Sequence, residues 1–331
     1  MIPYVWFAQA AQRIAPYIVE TPLTYDADRD LYLKWENRQT TGSFKPRGAL
    51  NKVLTLDDWE RKAGLVAASA GNHGQGVALA GQVTGSHVEV FVPEHAPNPK
   101  VEGMRSLGAQ VHFVQGGYGE AESAAKTYAA RRNKTFVSPY NDAQVIAGQG
   151  TVFVEALRQL ASMQREGATD SRGSSSTVTW VVPTGGGGLI SSCGIVLQNQ
   201  GRGDRVVGVQ PAASAFTYSL YHHGTQAGVE DGPTLADGLS GAIDSDSVTI
   251  PMLHQFVDDI VVVTEESIAN AIALAWRTYH ERIEGSGAAG LAAALGEELD
   301  ARPAIVVISG GNIEDEIFDR ITGQQAGGVP A

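Results

Sequence analysis

Seven short, nearly continuous apolar runs constrain this chain more than any other feature. They are Leu65–Ser69 (LVAAS), Val88–Val92 (VEVFV), Gln110–Val114 (QVHFV), Val178–Val182 (VTWVV), Val206–Gln210 (VVGVQ), Ile260–Thr264 (IVVVT) and Ile305–Ser309 (IVVIS). Strands of a parallel sheet covered on both faces read this way. Helical patterns lie between them, for example Gly74–Gln82, Gln149–Met163 and Glu266–Tyr279. The alternation predicts an α/β protein with open parallel sheets. A chain of 331 residues can divide its core between two lobes.

Composition excludes several classes. One cysteine cannot form an internal disulfide or a Cys-based zinc site, which fits a reducing compartment. The net charge of −12 argues against a nucleic-acid binder, because phosphate backbones want basic surface. No apolar run approaches the ~18 residues that span a bilayer. The N-terminus has no basic region or signal-type cleavage site, so a cytoplasmic protein is expected. The segment Glu166–Thr177 reads as a flexible loop and Gly323–Ala331 as a frayed tail.

The 39 glycines exceed the usual level of about 7% and they cluster. In open α/β sheets ligands sit at the carboxyl ends of strands, where three of four clusters fall. In TTGSFKPRGAL, Lys45 precedes a proline and opens a helix with Ala49, Leu50, Val53 and Leu54 on its apolar face. A helix N-terminus favours the neutral amine, which can attack an aldehyde. A surface lysine at a helix start fits the same residues. SAGNHGQG follows the run ending at Ser69, and Asn72 or His73 opens a helix whose free N–H groups suit an anion. A tight strand–helix turn is the alternative. PTGGGGLI places four glycines before an apolar helix, so that successive N–H groups can wrap a phosphate. Ser309 ends a strand in ISGGN, where a hydroxyl can meet a ring heteroatom or simply complete a turn. Together the clusters describe a phosphate, a ring nitrogen, a carbonyl for a lysine and a carboxylate. That is pyridoxal phosphate (PLP) joined to an amino acid.

At GSFKPRGA, SAGNHGQGVA, GQGT, PTGGGGL, TLADGL, EGSGAAGLAA and SGGN, in this order, the chain resembles the fold-type II PLP enzymes. The threonine/serine dehydratases and serine racemases are the branch it is most similar to. The resemblance implies the tryptophan synthase β-like fold: two parallel-sheet lobes with PLP between them. The larger lobe would hold residues 1–50 and 145–331, and the smaller 51–144. Lys45 would bond the cofactor aldehyde, with Phe44 packed beside it. Asn72 would meet the ring hydroxyl, and Gly185, Gly186, Gly187, Gly188 and Leu189 the phosphate. Ser309 would meet the pyridine nitrogen, while Gly238 and Glu284 would line the cofactor. Ser69, Ala70, Gly71, Asn72 and His73 would receive the substrate carboxylate.

The reaction so implied is loss of water from L-threonine or L-serine, giving a 2-keto acid and ammonia. Lys45 would act as general base. Within the fold, the alternative is a lyase or racemase for another β-hydroxy amino acid, such as a hydroxyaspartate or hydroxyectoine-pathway dehydratase. Outside it, the alternatives are a nicotinamide dehydrogenase, whose fingerprint is missing, and a non-enzymatic metabolite-binding protein. Ala70 stands where serine racemases carry a serine proton donor, which favours a dehydratase. Gln210 and Phe216 stand where racemases place divalent-cation carboxylates, so no metal is expected. The resemblance also implies a homodimer or tetramer and a short catabolic type without a regulatory domain. His222 and His223 read as a solvated loop, Cys193 as a buried inert thiol, Asp57–Asp58 as a capping turn and Asp258–Asp259 as a strand entry.

Overall fold

The computed structural model describes residues 2–96, 98–166, 177–296, 299 and 302–323. Residues 167–176 of the expected flexible loop and 324–331 of the expected tail lie outside the described residues. Ten strands occur among the described residues: β1 (Leu23–Asp26), β2 (Leu31–Trp35), β3 (Leu65–Ala68), β4 (Val88–Pro93), β5 (Gln110–Val114), β6 (Thr135–Phe136), β7 (Thr179–Pro183), β8 (Arg205–Pro211), β9 (Asp259–Val263) and β10 (Ala304–Ile308). The seven apolar runs all form strands, each end within one residue of its expected place.

The strands build two sheets. One has the order β1-β2-β10-β7-β8-β9, the other β5-β4-β3-β6. Every pairing is parallel except β1 with β2, which is antiparallel. The larger sheet is covered on both faces. Trp180, Ile190 and Ile305 belong to one apolar cluster, and Val181, Leu291 and Val306 to another. The smaller sheet is likewise two-sided. Burial on both faces explains the apolar run of β3, whereas the edge strand β5 is partly exposed. Between the strands, the expected helix Gly74–Gln82 runs Asn72–Thr84, and Gln149–Met163 becomes Thr151–Arg165. The expected Glu266–Tyr279 is an α-helix over Glu265–Leu274 followed by a π-helical turn, Ala275–Tyr279.

Strands β1, β2 and β6 escape an apolar-run reading for identifiable reasons. β6 has two residues. β2 reads LYLKW, and its lysine is completely buried. Lys34 belongs to a charge network that the chain folds around. Lys34 Nζ donates to Glu155 (2.5 Å) and to the Thr21 carbonyl (2.6 Å). Arg47 donates two hydrogen bonds to Glu36, both of 2.8 Å, and two to Glu155, of 3.0 and 3.1 Å. Arg47, Glu36 and Lys34 have no exposed surface. Two cations facing two carboxylates leave the interior neutral, as buried ions require.

This network fixes the helix Lys45–Leu54, because Arg47 is its third residue. Glu36 follows β2 and Glu155 lies on the helix Thr151–Arg165, so Arg47 clamps three elements. Replacing Arg47 with Ala leaves the buried Glu36 without its cation and Glu155 with Lys34 alone. The variant R47A should lose about 3–5 kcal/mol of stability in denaturant unfolding, the typical cost of removing one partner from a buried pair. A loss under about 1 kcal/mol, the range of surface ion pairs, contradicts the clamp.

Candidate active site

The ends of β3, β7 and β10 face one another across a cavity of about 340 Å³. Its lining draws on Ser69–His73, Lys100, Tyr118 and Tyr140 from the smaller-sheet side. Phe44, Lys45, Gly185–Leu189, Gly238, Glu284 and Ser309 line it from the other. All the expected site residues therefore meet in one cavity of the size that takes a small cofactor.

Lys45 is the first residue of its helix, followed by proline. The preceding Phe44 is held against β10, its N–H donating to the Ser309 carbonyl (3.1 Å). The Lys45 Nζ lies 4.9 Å from the centre of the Phe44 ring. Burial pushes the amine down to about 8, and Glu284 nearby opposes the shift. Loss of water contact, more than the helix terminus, depresses this lysine.

Asn72 and Glu284 form the far wall. Asn72 Nδ2 donates to Glu284 Oε1 (2.5 Å), and Asn72 Oδ1 accepts from Asn312 Nδ2 (2.7 Å). One Asn72 N–H is left over for a ligand. Burial first, then Asp237, pushes the Glu284 carboxyl up to about 7. Ser309 is buried, and its hydroxyl makes a long 3.3 Å bond to the Ser286 carbonyl. Gly238 N–H donates to Ser286 Oγ (2.9 Å).

The glycine run does two jobs. Gly187 caps the helix Gly188–Asn199 with φ +84°, a left-handed geometry that favours glycine. Packing explains part of the rest: a Cβ on Gly186 would stand 2.3 Å from the Tyr140 ring. Two threonines far away in sequence orient the loop. Thr217 Oγ1 donates to the Gly185 carbonyl (2.6 Å) and Thr249 Oγ1 to the Gly186 carbonyl (2.7 Å). In a trans peptide the N–H points opposite its C=O. Pinning these carbonyls sets the Gly186 and Gly187 N–H groups on the opposite edge of the loop. The helix N-terminus adds its unpaired N–H groups there. No local signal marks Thr217 or Thr249.

In the loop Ser69–His73, Ser69 Oγ accepts from Gly71 N–H (3.1 Å), and Ala70 lines the cavity. The His73 side chain turns away to another partner. Its Nε2 faces the Val137 carbonyl at 2.8 Å, and a carbonyl only accepts, so Nε2 carries the hydrogen. Burial, with Lys45 adding to it, pushes the imidazole down to about 3, so it is neutral. Its side-chain donor is spent, and only its backbone N–H remains for a carboxylate.

Elsewhere, Gln210 is buried, its Oε1 accepting from Tyr218 N–H (2.8 Å) and its Nε2 facing the Leu239 carbonyl (3.4 Å). No group of three or more metal-ligating side chains occurs among the described residues. His222 and His223 end a helix, Phe216–His223, rather than sit in a loop, and His222 bonds the Ile260 carbonyl (2.8 Å). Cys193 is buried, and burial pushes its thiol up. Asp57 caps the helix Asp58–Ala63, and Asp259 opens β9. The donor set fits PLP: an anion cradle, a buried amine, a spare amide N–H and a neutral hydroxyl.

Comparison with known proteins gives the same reading. The model of the pyridoxal-phosphate dependent enzyme family matches residues 12–311. An L-threonine ammonia-lyase of Thermotoga maritima is 40% identical over 88% of this chain and 69% of its own. A catabolic L-threonine dehydratase of Escherichia coli is 34% identical over 95% of this chain and 94% of its own. The structure of maize serine racemase superposes with a TM-score of 0.86 at 29% identity, covering 96% of this chain and 95% of that one.

The buried amine sets a pH dependence. Below about 8 Lys45 is increasingly protonated, and only its neutral form attacks an aldehyde. Capture of PLP by cofactor-free protein, followed by visible absorbance, should quicken about tenfold per pH unit up to about pH 8 and then level off. A rate that climbs on towards pH ~10, as for an ordinary lysine, contradicts the burial argument.

Proposed function

Because the chain belongs to the pyridoxal-phosphate-dependent enzyme family, we propose that it is an ammonia-lyase converting L-threonine or L-serine to a 2-keto acid and ammonia. The observation that carries this reading is one buried lysine, its amine lowered to about 8, facing an anion-binding glycine loop across a single cavity. Relatedness to threonine ammonia-lyases and dehydratases over most of the chain supports the substrate class.

PLP, when bound, supplies an aldehyde for the amino group and a ring that accepts the electron pair left at the α-carbon. The protein's residues do the rest. Backbone N–H groups of Gly186–Leu189 hold the phosphate, and Lys45 holds the aldehyde carbon. The spare Asn72 N–H and the Ser309 hydroxyl orient the ring. Serine bears no charge, so it does not keep the ring nitrogen protonated as a carboxylate would. That favours prompt elimination over slower side reactions. The N–H groups at the start of the helix Asn72–Thr84 receive the substrate carboxylate. The Lys45 amine would take the α-proton, and a group poised near 8 both accepts and returns a proton at neutral pH. The β-hydroxyl leaves as water, and one water returns when the released enamine hydrolyses. L-Threonine thus gives 2-oxobutanoate and ammonia, and L-serine gives pyruvate and ammonia.

Ala70 lines the cavity without a proton to give, which favours elimination over racemisation. The PLP-loaded protein should release 2-keto acid from L-threonine or L-serine. Gln210 has both amide atoms engaged with the backbone, so the release should continue in EDTA. Lys45→Ala should lower it by at least about 10³-fold. D-serine formed from L-serine without keto acid contradicts the lyase reading in favour of a racemase.

A further inference from the structure

The cavity is anionic where an anionic substrate must enter. Asp231, Asp237 and Glu284 line it, against only Lys45 and Lys100. Lys45 is committed to the cofactor, and the segment Ser69–His73 offers only neutral groups: a hydroxyl, an amide, a neutral imidazole and backbone dipoles. Among the described lining residues this leaves Lys100 as the full cation free for a carboxylate.

Lys100 lies on the helix Asn98–Ser106, on the smaller-sheet side. Its side chain is 11% exposed, and its ammonium forms an ion pair with Asp237 from the larger-sheet side. Asp237, Glu284 and Glu314 together raise its pKa despite burial, so it stays charged. Its stem follows the substrate loop closely. A Cβ built on Gly71 would stand 3.4 Å from Lys100 Cδ and 4.0 Å from Nζ. The lysine therefore lies along the loop, within van der Waals reach of Gly71. Asp237 has a half-exposed side chain, so it returns to water at little cost when its partner leaves.

We propose that Lys100 is the cation that binds the substrate α-carboxylate on the loop Ser69–His73, exchanging Asp237 for the substrate as it docks. This rests on the lyase reading above. In this role Asp237 is a competitor for Lys100, which separates the proposal from a plain tether between the two lobes. A tether is broken alike from either end. A competitor and its cation give opposite effects.

The test compares K100Q, D237N and the double variant, each loaded with PLP, using L-threonine. KM for K100Q should rise about tenfold, the usual scale for losing a charged hydrogen bond, while kcat falls less than about threefold. K100R should recover part of the loss. D237N should lower KM, and the gain should vanish in the double variant, showing that it acts through Lys100. Equal increases in KM for K100Q and D237N assign the pair to tethering and overturn the proposal. So does an unchanged KM for K100Q, or a D237N gain that survives without Lys100. D237N tests the sign even if K100Q folds poorly. Wild-type protein that holds PLP but releases no keto acid would instead contradict the lyase reading.

Discussion

The chemistry of this chain depends on keeping one amine, that of Lys45, out of water. Burial lowers it to about 8 against the opposing charge of Glu284, and burial needs a helix start that cannot drift towards solvent. Arg47, two residues on, supplies that restraint by pairing with the fully buried Glu36 and with Glu155, which is 12% exposed. The amide of Phe44, bonded to Ser309, holds the other side. An ionic clamp in the interior is costly to form and still more costly to break, so it suits a part that must not move. Lys45 sits between this ionic clamp and the Phe44–Ser309 backbone hydrogen bond.

The same economy of charge runs through the cavity. Burial first, then the charge of Asp237, holds Glu284 up to about 7, while Asn72 hydrogen-bonds its carboxylate. The phosphate cradle carries no cationic side chain. It relies on N–H groups whose direction is set by Thr217 and Thr249. In the proposed reading, neutral dipoles hold the group that stays, and the charged residues are left for the group that comes and goes.

Much of this architecture was legible in the sequence, because buried parallel strands are continuous apolar runs and anion-binding turns need glycine. Lys45, Asn72, Ser309 and the glycine run stand directly after strands or at helix starts, where local rules apply. What stayed hidden is what the fold assembles from a distance. Lys34 interrupts β2, and nothing local says that Glu155 neutralises it. Arg47 and Glu36 each read as surface residues until they meet. Thr217 and Thr249 are ordinary helix residues until a loop more than 30 positions away bonds to them. His73 was legible at a helix start, but its tautomer depends on the Val137 carbonyl, 64 residues on.

The central claim is that Lys45 is the lysine that bonds the cofactor, and the cavity holds a second lysine that could compete. Borohydride reduction of the PLP-loaded protein, followed by peptide mass mapping, distinguishes them. The account predicts the cofactor's mass on the peptide containing Lys45 and none on that containing Lys100. Labelling at Lys100, or no stable adduct at either, would contradict it.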